Sequence, residues 1–341
     1  MTLFRAAARN AWIPASRGND GFGENTTRML RFVALRLVMA LPTLWAVLTL
    51  VFVLVRIVPG DPALVILGDQ ATEEALVALR HRMGLDVPLW DQYLQFMGQV
   101  LRGDLGDSMV RNRPVWGEVA TVLPYTLELT FLGIFLGVVM GLPLGVLAAQ
   151  HRGGWIDAVA RWTSLLGLSF PAFISGILML LLLAVELPWF PVIGNAPFGN
   201  PAAHFRALVL PALNLGFIMV AYVARVTRSG MLASLSEDYI RTARAKGVPA
   251  RLVVWRHALR NALIPVVTVV GLYFGILIGN SVLTEIVFNR PGLGKLIVGA
   301  LNDRDYTMLQ GLMVIYALVV VVANLATDLA YGAVDPRIRV R

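Results

Sequence analysis

Seven stretches of this chain run for at least eighteen residues without an Asp, Glu, Lys or Arg, six of them without clustered Pro: 37–55, 129–149, 162–185, 207–224, 261–284 and 306–327. A helix of about 20 mostly apolar residues matches the thickness of a bilayer's hydrocarbon core. In lipid the backbone must satisfy its own polar groups, so runs of this length can only cross as helices. The composition agrees, with 57% hydrophobic and 15% charged residues against about 45–50% and about 25% in ordinary soluble domains. The expected fold is all-α, a polytopic membrane protein with six transmembrane helices.

A seventh apolar run, 187–205, carries Pro188, Pro191, Pro197 and Pro201 among Gly and Asn. Those residues remove donors and set turns, so it reads as an ordered loop or re-entrant segment. Orientation follows from Lys and Arg, which concentrate in cytoplasmic connections. Arg5, Arg9, Arg17, Arg28, Arg31 and Arg36 precede the first run, and eight basic residues from Arg225 to Arg260 lie between the fourth and fifth. Residues 60–123 hold five Arg against nine acids and should face outward. Arg337, Arg339 and Arg341 then place the carboxyl end inside, so both termini are expected to be cytoplasmic. The net charge of +8 is accounted for by this bias and requires no nucleic-acid partner.

The expected divisions are a cytoplasmic leader 1–35, a first transmembrane helix 36–58, an extracytoplasmic loop region 59–122, a core 123–332 and a tail 333–341. The first 28 residues have no apolar stretch like that of a secretory signal and read as a disordered lead-in. Met29 is itself a plausible start. With no Cys in the chain, disulfides and thiolate metal sites are excluded.

Gly133, Gly137, Gly141 and Gly145 stand four apart in the second run, and Gly271, Gly275 and Gly279 repeat the spacing in the fifth. Small residues on one face let helix backbones approach closely in lipid, so both strips are expected to pack helices. Pro42, Pro143 and Pro171 lie inside runs and should kink them. Arg56, Glu128, Glu285 and Asp328 sit near run ends, which argues against a proton relay at mid-depth.

Between the fourth and fifth runs stands "YIRTARAKGVPARLVVWRHALRNALIPVV", residues 239–267. It parses into two helices. The first runs from about Ser236 or Glu237 to Lys246 and is stopped by Gly247 in a left-handed conformation; Pro249 opens the second. In the second, Leu252, Val254, Trp255, Ala258, Leu259 and Ala262 gather on one side, with Arg256, His257, Arg260 and Asn261 opposite. By composition this is an interfacial helix facing anionic headgroups.

The segment resembles the cytoplasmic loop of ABC importer permeases, the EAA motif E-A-A-x3-G-x9-I-x-L-P. Arg241, Thr242 and Ala243 align with E-A-A and Gly247 with its Gly. The initial Glu is replaced by Arg241, and Leu263-Ile264-Pro265 follows a longer gap. Both departures match the dipeptide/oligopeptide/nickel branch of the family. "PGDPA" (59–63), "GLDVPLWDQY" (84–93), "GDLGDS" (103–108), "FNRPGLGKL" (288–296) and "DPR" (335–337) extend the resemblance from about residue 30 to the end.

The resemblance implies a type I ABC importer permease fold in a bacterial inner membrane. Within the loop 230–263, Asp238, Arg241, Thr242, Ala243 and Gly247 would form a coupling helix that docks on an ATP-hydrolysing subunit. The implied partners are a second permease, commonly a different homologous chain, two ATPase subunits and an extracytoplasmic binding protein. ATP and Mg would be bound by the ATPases, with no cofactor in this chain. Consistent with that, no G-x4-G-K-[ST] loop is present: Gly294-Lys295 is followed by Leu296, and Asn289 stands at the first Gly. Asp61, Asp104 and Asp107 read as turn formers rather than metal ligands.

Di- and oligopeptides lead as cargo; nickel complexes, glutathione and other small solutes remain open. An ion-coupled carrier is disfavoured by the empty midplane and by the lack of a visible inverted repeat. An intramembrane enzyme would need a reacting set within the runs. Ser169 and Ser175 have no base nearby in sequence, and His151 and His257 stand at cytoplasmic ends.

Overall fold

The computed structural model describes residues 21–57, 62–68 and 71–334. Asp61, the DPR motif and residues 1–20 of the leader lie outside them, as does the side chain of Asp328. The helices are α1 (Gly21–Ile57), α2 (Pro62–Leu67), α3 (Glu73–Arg82), α4 (Leu89–Leu101), α5 (Val115–Gln150), α6 (Trp155–Ser169) and α7 (Ala172–Leu180). They continue as α8 (Pro201–Leu235), α9 (Asp238–Ala245), α10 (Ala250–Leu252), α11 (Leu259–Val287), α12 (Leu293–Asn302) and α13 (Tyr306–Val334). The strands β1 (Asp107–Ser108) and β2 (Arg113–Pro114) pair antiparallel, Asp107 opposite Pro114. The helix α1 begins at Gly21, so the later part of the leader is helical, contrary to the disorder expected of it.

Local signals set several ends. Thr72 accepts from the Ala75 amide at 3.3 Å, Glu73 and Glu74 occupy the first turn of α3, and Arg80, His81 and Arg82 its last, each complementing the helix dipole. Asn200 caps α8 through the Ala203 amide at 3.2 Å, with Pro201 in the first turn.

Five helical segments are long and apolar enough to cross a membrane: Ala34–Ile57, Val115–Gln150, Pro201–Leu235, Ala250–Val287 and Tyr306–Thr327. The third expected span differs. Residues 162–185 do not form one helix: α6 and the segment Ala172–Glu186 are bent by 110° at Phe170 and Pro171. Proline disfavours a helical residue before it, and Phe170 is extended at φ −88 and ψ 127. The fifth span differs in the other direction. The basic second helix of the loop is not a separate interfacial piece, because α10 continues through a π turn, Val253–Ala258, into α11.

At the centre stands α8, packed by α5, α6, α7 and α11. Leu129 of α5, Leu215, Met219 and Val223 of α8, and Val266 and Leu277 of α11 share one buried cluster. The helices α1, α4 and α13 form a flank, joined through Leu48, Phe52, Phe96 and Val314.

Candidate functional site

At one end of the bundle α9 follows α8 in the chain and packs on the π turn Val253–Ala258 that leads into α11. Glu237 enters it in extended conformation, Asp238 occupies its first turn and Arg244 its last. Its inward residue is Ile240, fully buried among Val146, Ala149, Met231, Val253, Ala258 and Leu259. Ala243 packs beside it, half-buried. Asn261 donates to the Tyr239 hydroxyl at 2.8 Å and ties α9 to the foot of α11.

The five residues named for docking divide by environment. Asp238, Arg241, Thr242 and Gly247 are exposed, whereas Ala243 faces the bundle. Asp238 and Arg241 pair at 3.2 Å on the open surface, an arrangement worth about 1 kcal/mol or less. Thr242 donates to the Asp238 carbonyl at 3.0 Å. Gly247 has φ +75 and open space around it, so its requirement is conformational rather than steric. The amide of Val248 then reaches the Ala243 carbonyl at 3.1 Å and closes the helix.

The two glycine strips also differ. Gly133, Gly137, Gly141 and Gly145 are all buried against α8. A Cβ at Gly137 would overlap the side chain of Met219, and one at Gly145 would come within 2.6 Å of the Ala224 carbonyl oxygen. In α11, Gly271 meets Thr327 of α13 as closely, but a Cβ at Gly275 would lie 3.5 Å from Asn324. Gly279 is exposed, and a Cβ there would lie 3.5 Å from the Tyr316 hydroxyl. Within this chain the second strip is therefore a close packing surface at Gly271 alone of the three.

The opposite end is held by buried polar groups that sequence reasoning did not connect. Glu285 is fully buried and caps α12: its carboxylate accepts from the Lys295 amide at 3.1 Å and the Thr126 hydroxyl at 2.6 Å. Gly292 allows this approach, since a Cβ there would overlap the carboxylate. Arg290 is also fully buried, donating to Glu128 at 2.8 Å and to the Gly194 carbonyl at 3.3 Å. Burial pushes its pKa down and the nearby Glu128 carboxylate draws it back up. His204 reaches the same carboxylate at 2.7 Å and stands 2.9 Å from the Ala196 carbonyl. The "FNRPGLGKL" segment and the proline-rich loop 187–200 are thereby clasped to α5 and α8.

Two further pins hold the broken helix. Asn214 of α8, fully buried, donates to the Ala172 carbonyl at 3.1 Å and accepts from Ser175 at 2.7 Å. Nearer α9, Arg228 of α8 grips buried Asp157 of α6, with one contact at 3.0 Å. Among the described residues no three His, Asp or Glu converge to hold a metal. Asp104 accepts from the Gly106 amide at 2.9 Å, a turn contact.

Long apolar helices packed around a central one, a helix pair bent by 110° and a short exposed helix at one end define a polytopic membrane protein. The family described as "Binding-protein-dependent transport system inner membrane component" matches residues 141–340, and its N-terminal counterpart matches residues 29–130. The di/tripeptide transport system permease protein DppB of Pseudomonas aeruginosa (strain UCBPP-PA14) is 41% identical, over 91% of this chain and 99% of that protein. The glutathione transport system permease protein GsiC of Escherichia coli (strain K12) is 42% identical, with the same coverage of both. In fold, the chain resembles an inward-facing structure of the MetNI methionine ABC transporter, with TM-score 0.52 at 21% identity, over 64% of this chain and 96% of that one. The chain belongs to the family of inner membrane components of binding-protein-dependent transport systems. It is an ABC importer permease of the peptide-transport type, a non-catalytic multi-pass subunit of the inner membrane.

Proposed function

We propose that this permease forms one half of the path by which di- or oligopeptides, delivered by an extracytoplasmic binding protein, enter the cell at the expense of ATP hydrolysed elsewhere. The observation that carries the reading is α9, an eight-residue helix seated on the bundle by Ile240 and presenting Asp238, Arg241 and Thr242 outward. That face is the docking surface for an ATPase subunit, and ATP and Mg are bound there rather than in this chain. Closure of two ATPases moves α9, and with it α8 and α11, between two arrangements of the path. The basic end carrying α9 is cytoplasmic, as are both termini, and the second permease is a different homologous chain. Peptide cargo is supported by the di/tripeptide relative; the glutathione relatives support a second reading in which the cargo is that modified tripeptide.

The test is uptake into liposomes holding the chain, its companion permease, ATPases and binding protein, with and without Gly247→Val. A β-branched residue at φ +75 costs on the order of 1–2 kcal/mol in backbone strain and displaces the end of α9. Labelled dipeptide should accumulate only with ATP, and the variant should assemble yet lose most uptake. Uptake without ATP, or a silent substitution, would overturn the docking assignment; ATP-driven accumulation of labelled glutathione but not of labelled dipeptide would select the second cargo.

A further inference from the structure

The helix α4 presents three different faces. At 100° per residue, Gln92, Tyr93, Phe96 and Val100 share one side. There Tyr93 meets the Phe52 ring edge-on at 5.2 Å, Phe96 stacks on Phe52 at 5.8 Å, and the hydroxyls of Tyr93 and Thr49 lie 2.8 Å apart. A second side carries Asp91, Gln95 and Gln99. Both glutamines line a cavity of about 320 Å³ together with Arg56, Asp104 and Gln310. The third side carries Trp90, Leu94 and Leu101, which are 66%, 51% and 86% exposed.

We propose that this third face is immersed in lipid, so that α4 lies within the membrane leaflet at the carboxyl end of α1. Depth is the first argument. Thr49 lies about 12 Å along α1 from Ile57 at ~1.5 Å per residue, and Ile57 ends the first span. With Gln92 accepting from Arg56 at 3.0 Å near that end and Tyr93 reaching down to Thr49, α4 contacts α1 over a depth that brackets the ~5–10 Å that interfacial helices reach. Gln310, which accepts from Arg56 at 3.3 Å, lies likewise inside the span of α13.

Continuity is the second. Leu50, Val53, Leu54 and Ile57 of α1 are exposed apolar residues of a helix long and apolar enough to cross a membrane, and α4 packs on that same helix through Phe52. The helix holds one charge, Asp91, and it sits on the cavity side. A soluble partner docking on this stripe would have to reach below the end of α1. The proposal rests on the chain crossing a membrane, not on its cargo or on the docking of α9.

The chain has no cysteine, so once the partner subunits are also freed of theirs a single nitroxide label reports without background. In the whole transporter in phospholipid nanodiscs, labels at Leu94→Cys and Leu101→Cys should collide several-fold more with oxygen than with an aqueous nickel chelate. The ratio should reverse at Gln95→Cys and Gln99→Cys. A label at Leu54→Cys on α1 sets the lipid value, and Trp90→Cys replaces either stripe position if that variant fails to assemble. Aqueous accessibility along the stripe overturns the proposal. So does a loss of both collision rates there, or a fall in them when the binding protein is added, since each places protein on the stripe.

Discussion

Arg290 and Glu128, 162 residues apart in the chain, meet at 2.8 Å with the guanidinium wholly shielded from solvent. The pair joins the loop after α11 to the middle of α5, and His204 of α8 closes on the same carboxylate. Removing Glu128 leaves the Arg290 guanidinium buried without its carboxylate, and removing Arg290 leaves the part-exposed carboxylate with His204 alone. Glu128→Ala or Arg290→Ala should therefore cost about 3 kcal/mol, the lower end for buried pairs because Glu128 keeps some solvent access. Replacing both with apolar residues should recover part of the loss. Thermal midpoints of the purified transporter measure the cycle, and additive single-site losses would show that the two residues do not act as a pair.

Gly137 and Gly275, one from each glycine strip, predict opposite responses. Gly137→Ala pushes a methyl group into Met219 and should lower stability by about 1–3 kcal/mol through overpacking. Gly275→Ala meets Asn324 at ordinary distance and should leave the isolated chain unchanged or slightly firmer. Heating curves of the two variants, side by side, decide it; equal losses would contradict the packing described for α11.

Asn214 sits where the third crossing breaks. Asn214→Leu keeps volume but strips partners from Ser175 and the Ala172 carbonyl, an expected loss of about 1–3 kcal/mol. Protease resistance of the segment around Phe170 should fall in the same variant. Unchanged resistance and midpoint would mean that the bend is held by Pro171 alone.

Ile240→Asp places a carboxylate in the apolar seat under α9. The bundle should still insert, because the spans themselves are untouched, but ATP-driven uptake should drop steeply. The companion control is Ile240→Val, which should retain most activity. If the Asp variant transports normally, α9 is not held as described.

The spans were legible because lipid demands long uncharged runs, and a run of that kind is visible without knowing any contact. The left-handed stop at Gly247 was also local, set by a residue type and its neighbours. The clasp was not. Glu128 and Glu285 stand near the ends of apolar runs, where a carboxylate reads as facing water, and their partners lie far along the chain. Only folding reveals that Glu285 finds its partners in Thr126 and the α12 amides. The bend was half visible: Pro171 signals a kink, but nothing local sets an angle of 110°. The region 59–122 folds into α2, α3 and α4 and a short strand pair, and the three-sided pattern of α4 is diluted by its glutamines.

The confinement of α8 limits how such a bundle can move. With α5, α6, α7 and α11 all against it, and with glycines bringing one neighbour into backbone contact, this helix cannot slide past any of them without opening a void. A push on α9 must then arrive at the far clasp as a tilt of the whole block, with little slack taken up on the way.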